Sequence, residues 1–314
     1  MHNVGIKLNC GDRVWNSYIE KVASVALVTL IYDDKESEDL TNIDFLIATS
    51  ASIHEIEVMK KLKAIFLYKT GVDRLPVALI KAKGIDIFPS HVNAGVIAEH
   101  AISLALCLLH RINEFDADLR RGCWYSDGCN YYWRSLAKME VGIIGYGHIG
   151  RELAKKISCM AKGIRVFSRS ETLITDFDVA INLEDLVSRS DIVFLCLPKN
   201  QDTIGLINKD ILARMAGKYL VNISRAEICN EVDLFHALSK NQIAGYASDV
   251  WYDSPNKQNK LELINPSKLP FELLRNVVMT PHCATHEMDA HERYISDAVE
   301  SCLNYLKGYD ETVL

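Results

Sequence analysis

Short apolar runs alternate with amphipathic stretches along the whole 314-residue chain. The runs at 26–32, 44–49, 64–69 and 85–89 predict strands, as do those at 141–145, 164–168, 192–197, 219–224, 243–249 and 277–280. Several are apolar at every position rather than at every second one. A strand buried on both faces has that pattern, and such strands belong to parallel sheets covered by helices. The alternation of strand and helix therefore predicts an α/β protein of right-handed βαβ units, with two doubly wound parallel sheets. The segment 96–109, VIAEHAISLALCLL, is apolar nearly all round and reads as a buried helix between two domains that continues to about 121. The tail 290–307 places Tyr294, Ile295, Ala298, Val299, Cys302, Leu303 and Leu306 at helical spacing. If that helix packs on the N-terminal sheet, the first domain is discontinuous. The polar stretch 254–270, with three prolines, is expected to be a surface loop.

The length exceeds one ordinary core and suits two domains. A net charge of -6 argues against a nucleic-acid partner, which needs a basic face. No run of ~18 apolar residues and no signal-peptide pattern is present, so no membrane span is expected and the chain is expected in the cytoplasm. Nine cysteines, none in a C-x-x-C pair, predict reduced thiols and no metal site.

The stretch 141–154 contains Gly145-Tyr-Gly147-His148-Ile149-Gly150 between an apolar strand and an amphipathic helix. In that context G-x-G-x-x-G is a dinucleotide-binding turn. Gly145 permits the turn, Gly147 lets the backbone approach a pyrophosphate, and Gly150 lets the helix pack on the strand. The end of the next strand reads Ser168-Arg169-Ser170, where an NAD enzyme places an acid for the ribose 2′-hydroxyl. An arginine flanked by hydroxyls suits a 2′-phosphate instead, so NADP is expected over NAD.

Five stretches make nearly the whole chain resemble the D-isomer-specific 2-hydroxyacid dehydrogenases, in particular the glyoxylate and hydroxypyruvate reductases. They are Lys69-Thr70-Gly71-Val-Asp73, Asn93 with 96–100, the glycine turn, Leu220-Val-Asn222-Ile-Ser-Arg225 followed by Asp249-Val-Trp251, and Thr280-Pro-His282. The resemblance implies a Rossmann domain over 95–284. It also implies a flavodoxin-like substrate domain from 1–94 plus 285–314, an active site in the cleft between them, and a homodimer. Arg225 would polarise the substrate carbonyl and hold its carboxylate, and His282 would donate the proton. The Thr70–Gly71 turn would bind the carboxylate. Cys196, Pro198 and Asp249 match further cofactor contacts, and His148 would line the cofactor.

One position departs from the family. A glutamate that normally pairs with the catalytic histidine is replaced by Ser254, and the nearest acid is Asp253. Either Asp253 serves as its surrogate or His282 works without a close carboxylate. The expected reaction is hydride transfer between NADP(H) and a small 2-keto acid such as glyoxylate or hydroxypyruvate. The alternatives are dehydrogenation of another small acid such as formate or phosphite, or a dinucleotide-sensing regulator of the same fold. The aromatic segment 124–133 lines either the substrate pocket or a dimer contact.

Overall fold

The computed structural model describes residues 1–8, 14–32, 40–124, 132–169, 176–253 and 265–308. The chain divides into two compact units, Met1–Asn93 with His286–Leu314, and Ala94–Thr285.

The first unit holds strands β1 (Asn3–Leu8), β2 (Leu27–Tyr32), β3 (Phe45–Ala48), β4 (Ala64–Leu67) and β5 (Asp86–Pro89). They form one parallel sheet in the order β2-β1-β3-β4-β5, the flavodoxin-like arrangement. Helices α1 (Trp15–Ala23), α2 (Ile53–Val58) and α3 (Val77–Ala82) connect the strands. The C-terminal helix, Ala290–Leu306, packs against α1, β3, β4 and β5. Its Tyr294, Ile295, Ala298, Val299, Cys302 and Leu303 join a core with Val4, Ile6, Phe45 and Phe66. The unit is thus assembled from both ends of the chain.

β1 is an interior strand, paired with β2 and β3, yet the apolar runs do not predict it. Its Gly5 and Lys7 interrupt the pattern, and both are explained by packing. A Cβ at Gly5 would come within 2.9 Å of Ile43. Lys7 is only 9% exposed, and its Nζ donates to Glu55 Oε1 at 2.7 Å. A buried ammonium is tolerated because that carboxylate meets it. Glu55 also closes the capping box of α2 with Ser52.

The second unit begins with α4 (Ala94–Leu109) and α5 (Ile112–Arg120). These are not the single helix that the apolar run predicts. Arg111 adopts a left-handed conformation (φ 55°) and the two axes bend by 57°. Arg111 is held there by ion-paired hydrogen bonds to Glu114 at 3.0 and 2.6 Å, a contact with no local breaker residue to announce it. α4 packs against the helix His148–Ile157 and the strands Tyr219–Asn222, Gly245–Ser248 and Val277–Met279 that follow, so its apolar surface is consumed inside this unit. Among the described residues, no single helix is long and apolar enough to cross a membrane.

The sheet of this unit comprises β6 (Glu140–Ile144), β7 (Gly163–Phe167), β8 (Asp178–Val179), β9 (Ile192–Leu195), β10 (Tyr219–Asn222), β11 (Gly245–Ser248) and β12 (Val277–Met279). Helices α6 (His148–Ile157), α7 (Leu183–Arg189), α8 (Lys209–Arg214) and α9 (Glu231–Ser239) cover it. The order is β12-β11-β10-β9-β6-β7-β8, all parallel. Counted from β6, this is the 3-2-1-4-5-6 order of a Rossmann sheet with one strand added beyond the sixth. The two-residue β8 is too short for a periodic signal and was not expected from the apolar runs.

Candidate active site

The described dinucleotide candidates of the second unit, together with Arg225 and His282, lie just beyond the carboxyl ends of its strands. In open α/β sheets this is where ligands bind. The glycine turn follows β6, Ser168 and Arg169 follow β7, and Cys196 and Pro198 follow β9. Arg225 follows β10, Asp249 follows β11, and His282 follows β12.

The three glycines of the turn answer to different demands. Gly145 has φ 97°, and a Cβ there would overlap the carbonyl of Cys196. A Cβ at Gly150 would overlap the carbonyl oxygen of Gly145, so only hydrogen lets α6 sit this close to β6. Gly147 has no heavy atom within 4 Å of its would-be Cβ among the described residues. The packing of the protein does not require a glycine there, whereas a phosphate approaching the backbone does. α6 starts at His148 with no side-chain cap at Gly147, leaving its first N–H groups for an anion. His148 is exposed, and Ile149 packs against the core beneath the turn. These features fit a dinucleotide pyrophosphate.

At the end of β7, Arg169 is exposed and its Nη1 donates to Asp202 Oδ2 at 2.9 Å. Both partners are more than half exposed, so this pair is weak and a phosphate can replace its carboxylate. Ser168 is half-buried, while Ser170 lies outside the described residues. Burial pushes the Cys196 thiol up to about 12, which keeps it neutral. Pro198 is exposed, and its carbonyl accepts from Thr203 Oγ1 at 2.8 Å.

Arg225 is placed by a buried polar frame. The Asn222 side chain is fully buried. Its Nδ2 donates to the Arg225 carbonyl at 3.0 Å, and its Oδ1 accepts from Ser224 N at 3.0 Å. Ser224 Oγ donates to Leu195 O at 2.7 Å and accepts from Leu197 N at 2.9 Å. The ends of β9 and β10 are thereby stitched together immediately before Arg225. The arginine is half-buried, and its Nη1 donates to Ser224 O at 2.6 Å.

His282 is held by a second frame. Its φ of 55° is left-handed, a conformation a histidine adopts at a cost of order 1–3 kcal/mol unless its surroundings impose it. Asp249, 2% exposed, supplies that imposition. Its Oδ1 accepts from Thr280 Oγ1 at 2.6 Å and Cys283 N at 2.9 Å, and its Oδ2 accepts from Ala284 N at 2.9 Å. The residues on both sides of His282 are therefore gripped by one carboxylate. Trp251 Nε1 donates to Thr280 O at 3.0 Å, and Thr280 N donates to Ser248 O at 3.0 Å. Burial opposes the charge on Asp249. Hydrogen bonds from His100, Thr280, Cys283 N and Ala284 N outweigh it, so its carboxyl lies well below the usual carboxylate range. The carboxylate matched to a cofactor contact by resemblance is thus engaged within the protein.

Asp253 is exposed, and its backbone N–H donates to Pro266 O at 2.9 Å. Among the described residues no hydrogen bond joins it to His282, and Ser254 lies outside them. In the first unit, Thr70 Oγ1 and Tyr294 Oη share a hydrogen bond of 2.9 Å, which ties the Thr70–Gly71 turn to the C-terminal helix. Tyr294, Asn222 and Ser248 escaped selection as site residues because each looks like an ordinary member of a strand or helix. A cavity of about 260 Å³ between α5 and the segment before β12 contains none of the candidates. No disulfide joins the seven described cysteines, while Cys10 and Cys129 lie outside the described residues. Of the aromatic segment, Trp124, Tyr132 and Trp133 are exposed, and residues 125–131 lie outside the description.

Comparison with known proteins agrees with this architecture. The chain is 29% identical over 262 residues to the glyoxylate reductase of Thermofilum pendens, covering 81% of this chain and 74% of that protein. It is 26% identical over 322 residues to the hydroxypyruvate reductase of Blautia hydrogenotrophica, covering 97% and 95%. It spans about half the length of the D-3-phosphoglycerate dehydrogenases it matches, 49% for that of Mycobacterium leprae. Among solved structures, the PH0520 protein of Pyrococcus horikoshii superposes with a TM-score of 0.84 at 26% identity, covering 100% of this chain and 95% of that one. The description "D-isomer specific 2-hydroxyacid dehydrogenase, NAD binding domain" matches residues 102–284, more than half of the chain. With a dinucleotide turn, a framed arginine and a framed histidine on one sheet edge, the chain belongs to the D-isomer specific 2-hydroxyacid dehydrogenases, a family of NAD(P)-dependent oxidoreductases.

Proposed function

We propose that this protein reduces short 2-keto acids, with glyoxylate and hydroxypyruvate foremost, to D-2-hydroxy acids, using NADPH in preference to NADH. The observation that carries the reading is the pair of rigid frames. Asn222 and Ser224 set Arg225, and Asp249 sets His282, on strands β10 to β12 of one sheet edge. The names of the glyoxylate and hydroxypyruvate reductases among its relatives support the substrate class.

Bound NADPH supplies the hydride. Gly145, Gly147 and Gly150 with the start of α6 hold its pyrophosphate, Ser168 and Arg169 its 2′-phosphate, and Cys196, Pro198 and Asp249 flank the rest. Arg225 presents a planar fork of donors to the substrate carboxylate and carbonyl, and stabilises the negative charge that grows on the carbonyl oxygen. His282 carries the proton that this oxygen takes up. Thr70 and Gly71 offer backbone N–H groups to the carboxylate, with Tyr294 steadying the turn. We further propose a homodimer in the cytoplasm, with Trp124, Tyr132 and Trp133 covered by the second copy. Sedimentation at micromolar concentration tests that assembly.

The deciding experiment is a panel of keto acids run in parallel with NADPH and NADH, with formate and phosphite as oxidation substrates. Glyoxylate- or hydroxypyruvate-dependent loss of NADPH at the higher kcat/KM supports the proposal. Turnover of formate or phosphite alone, or tight NADPH binding without consumption of any acid, overturns it.

A further inference from the structure

Behind the His282 turn, three side chains from three separate elements converge. One ligand atom each of His100, Asp249 and Cys283 lies within 4.8 Å of the other two. His100 comes from α4, Asp249 from the end of β11, and Cys283 from the turn after β12. His100 Nε2 is 3.5 Å from Asp249 Oδ1 and 3.2 Å from Thr280 Oγ1. Asp249 is buried, whereas His100 and Cys283 are half-buried, so the cluster is enclosed but reachable.

We propose that His100, Asp249 and Cys283 form an inhibitory binding site for Zn²⁺, and that its occupation disables the His282 turn. The donor set selects the ion. One sulfur, one imidazole nitrogen and one carboxylate oxygen suit Zn²⁺, whereas Mg²⁺ and Ca²⁺ take oxygen donors. Zinc bonds of ~2.0–2.3 Å require the donors to close in slightly from their present spacing, within the reach of side-chain rotation. Charge balances as well. On binding, the S–H bond breaks, an S–Zn bond forms, and the proton leaves to solvent. One thiolate and one carboxylate then neutralise the dication, while His100 passes its ring proton from Nε2 to Nδ1 through solvent and offers Nε2 as a neutral donor. Three protein ligands leave the fourth position to water. That marks a labile site rather than a structural one.

The inhibitory consequence follows from the double employment of Asp249. Its carboxylate holds Thr280 and the backbone of Cys283 and Ala284 around the left-handed His282. A metal that takes one of its oxygens and the adjacent thiol loosens that grip and re-aims the histidine. This part rests on the reading of His282 as the proton donor; the binding site itself does not.

The test uses the full-length chain after chelator treatment. Zn²⁺ affinity is read by competition with a chromophoric chelator, and Co²⁺ serves as a spectroscopic probe. We expect one high-affinity equivalent with a thiolate-to-cobalt charge-transfer band. The band disappears in Cys283→Ser, and Zn²⁺ affinity falls about 10-fold or more in Cys283→Ser and in His100→Asn. NADPH-dependent keto-acid reduction is inhibited by Zn²⁺, restored by chelator, and loses its Zn²⁺ sensitivity in the same two variants. Circular dichroism establishes that both variants fold. Zn²⁺ affinity unchanged in folded Cys283→Ser, or a cobalt complex without a sulfur band, overturns the site. Binding with the predicted variant pattern but no inhibition of an active enzyme overturns the inhibitory role. If the metal-free protein turns over no keto acid, the functional reading fails, and the two binding measurements still decide the site.

Discussion

Gly147 and Gly150 stand three residues apart in one turn, but only Gly150 is demanded by the fold. Gly150→Ala forces a methyl against the Gly145 carbonyl oxygen and must shift α6 from β6, so thermal stability and dinucleotide binding should fall together. Gly147→Ala adds a methyl to open space at an ordinary φ of -77°. Its melting temperature should stay near the parent's while NADPH affinity drops, as read by calorimetric titration. An equally destabilised Gly147→Ala would remove the phosphate explanation for that residue. At the end of β7, Arg169 gives up only an exposed ion pair with Asp202 to take a phosphate. Arg169→Ala should therefore lower kcat/KM with NADPH by roughly 10- to 150-fold, the worth of one charge-assisted contact, and change NADH use little. Equal losses with both cofactors would sink the 2′-phosphate assignment. Arg225→Lys keeps the charge but not the fork. Keto-acid kcat/KM should fall by about 100-fold or more with NADPH affinity preserved. Near-parent turnover in a folded Arg225→Lys would take this residue out of the mechanism.

Among the elements, the turn after β12 depends most on a single remote group. Asp249 → Asn replaces an acceptor oxygen by a donor that faces Thr280 Oγ1, Cys283 N or Ala284 N. One buried hydrogen bond lost in this way costs about 1–3 kcal/mol. The urea midpoint should fall accordingly, and keto-acid turnover should fall more than NADPH affinity because His282 loses its frame. If Asp249 serves the dinucleotide first, as the family resemblance implies, the substitution weakens NADPH binding and leaves the urea midpoint in place. The break between α4 and α5 belongs to the same scale. Arg111 takes a left-handed φ that its residue type does not favour, and the Glu114 contact one turn later holds it.

Across the whole molecule, each unit carries a carboxylate held in its charged form. Burial opposes the charge on Glu55, but its hydrogen bonds to Lys7 and Ser52 outweigh it and lower its pKa. Asp249 is lowered in the second unit by its four donors. A carboxyl whose folded pKa is depressed contributes its full stability above the unfolded value of ~4 and loses it as pH falls through the folded value. Both contributions are thus complete at neutral pH and remain so down to about pH 5. Urea midpoints measured across pH should be level in that window and decline only below it. A steep loss between pH 7 and 5 would show that other groups govern acid stability.

Much of this protein is written in neighbouring residues. Apolar runs marked the buried parallel strands, the glycine spacing marked the dinucleotide turn, and the Arg225 and His282 motifs marked the family. These signals are legible because a strand's burial and a turn's geometry depend on residues only a few positions apart. Whatever depends on distant partners is settled only in the folded chain. β1 carries a lysine and a glycine that mask it, and both make sense only beside Glu55 and Ile43. The helix expected to run to 121 stops because Arg111 turns back on Glu114. No spacing rule gathers His100, Asp249 and Cys283, because their elements meet only once α4 lies against β11 and β12. The same holds for His282: its type and motif are local, but its left-handed backbone is imposed by a carboxylate that the chain supplies from the neighbouring strand.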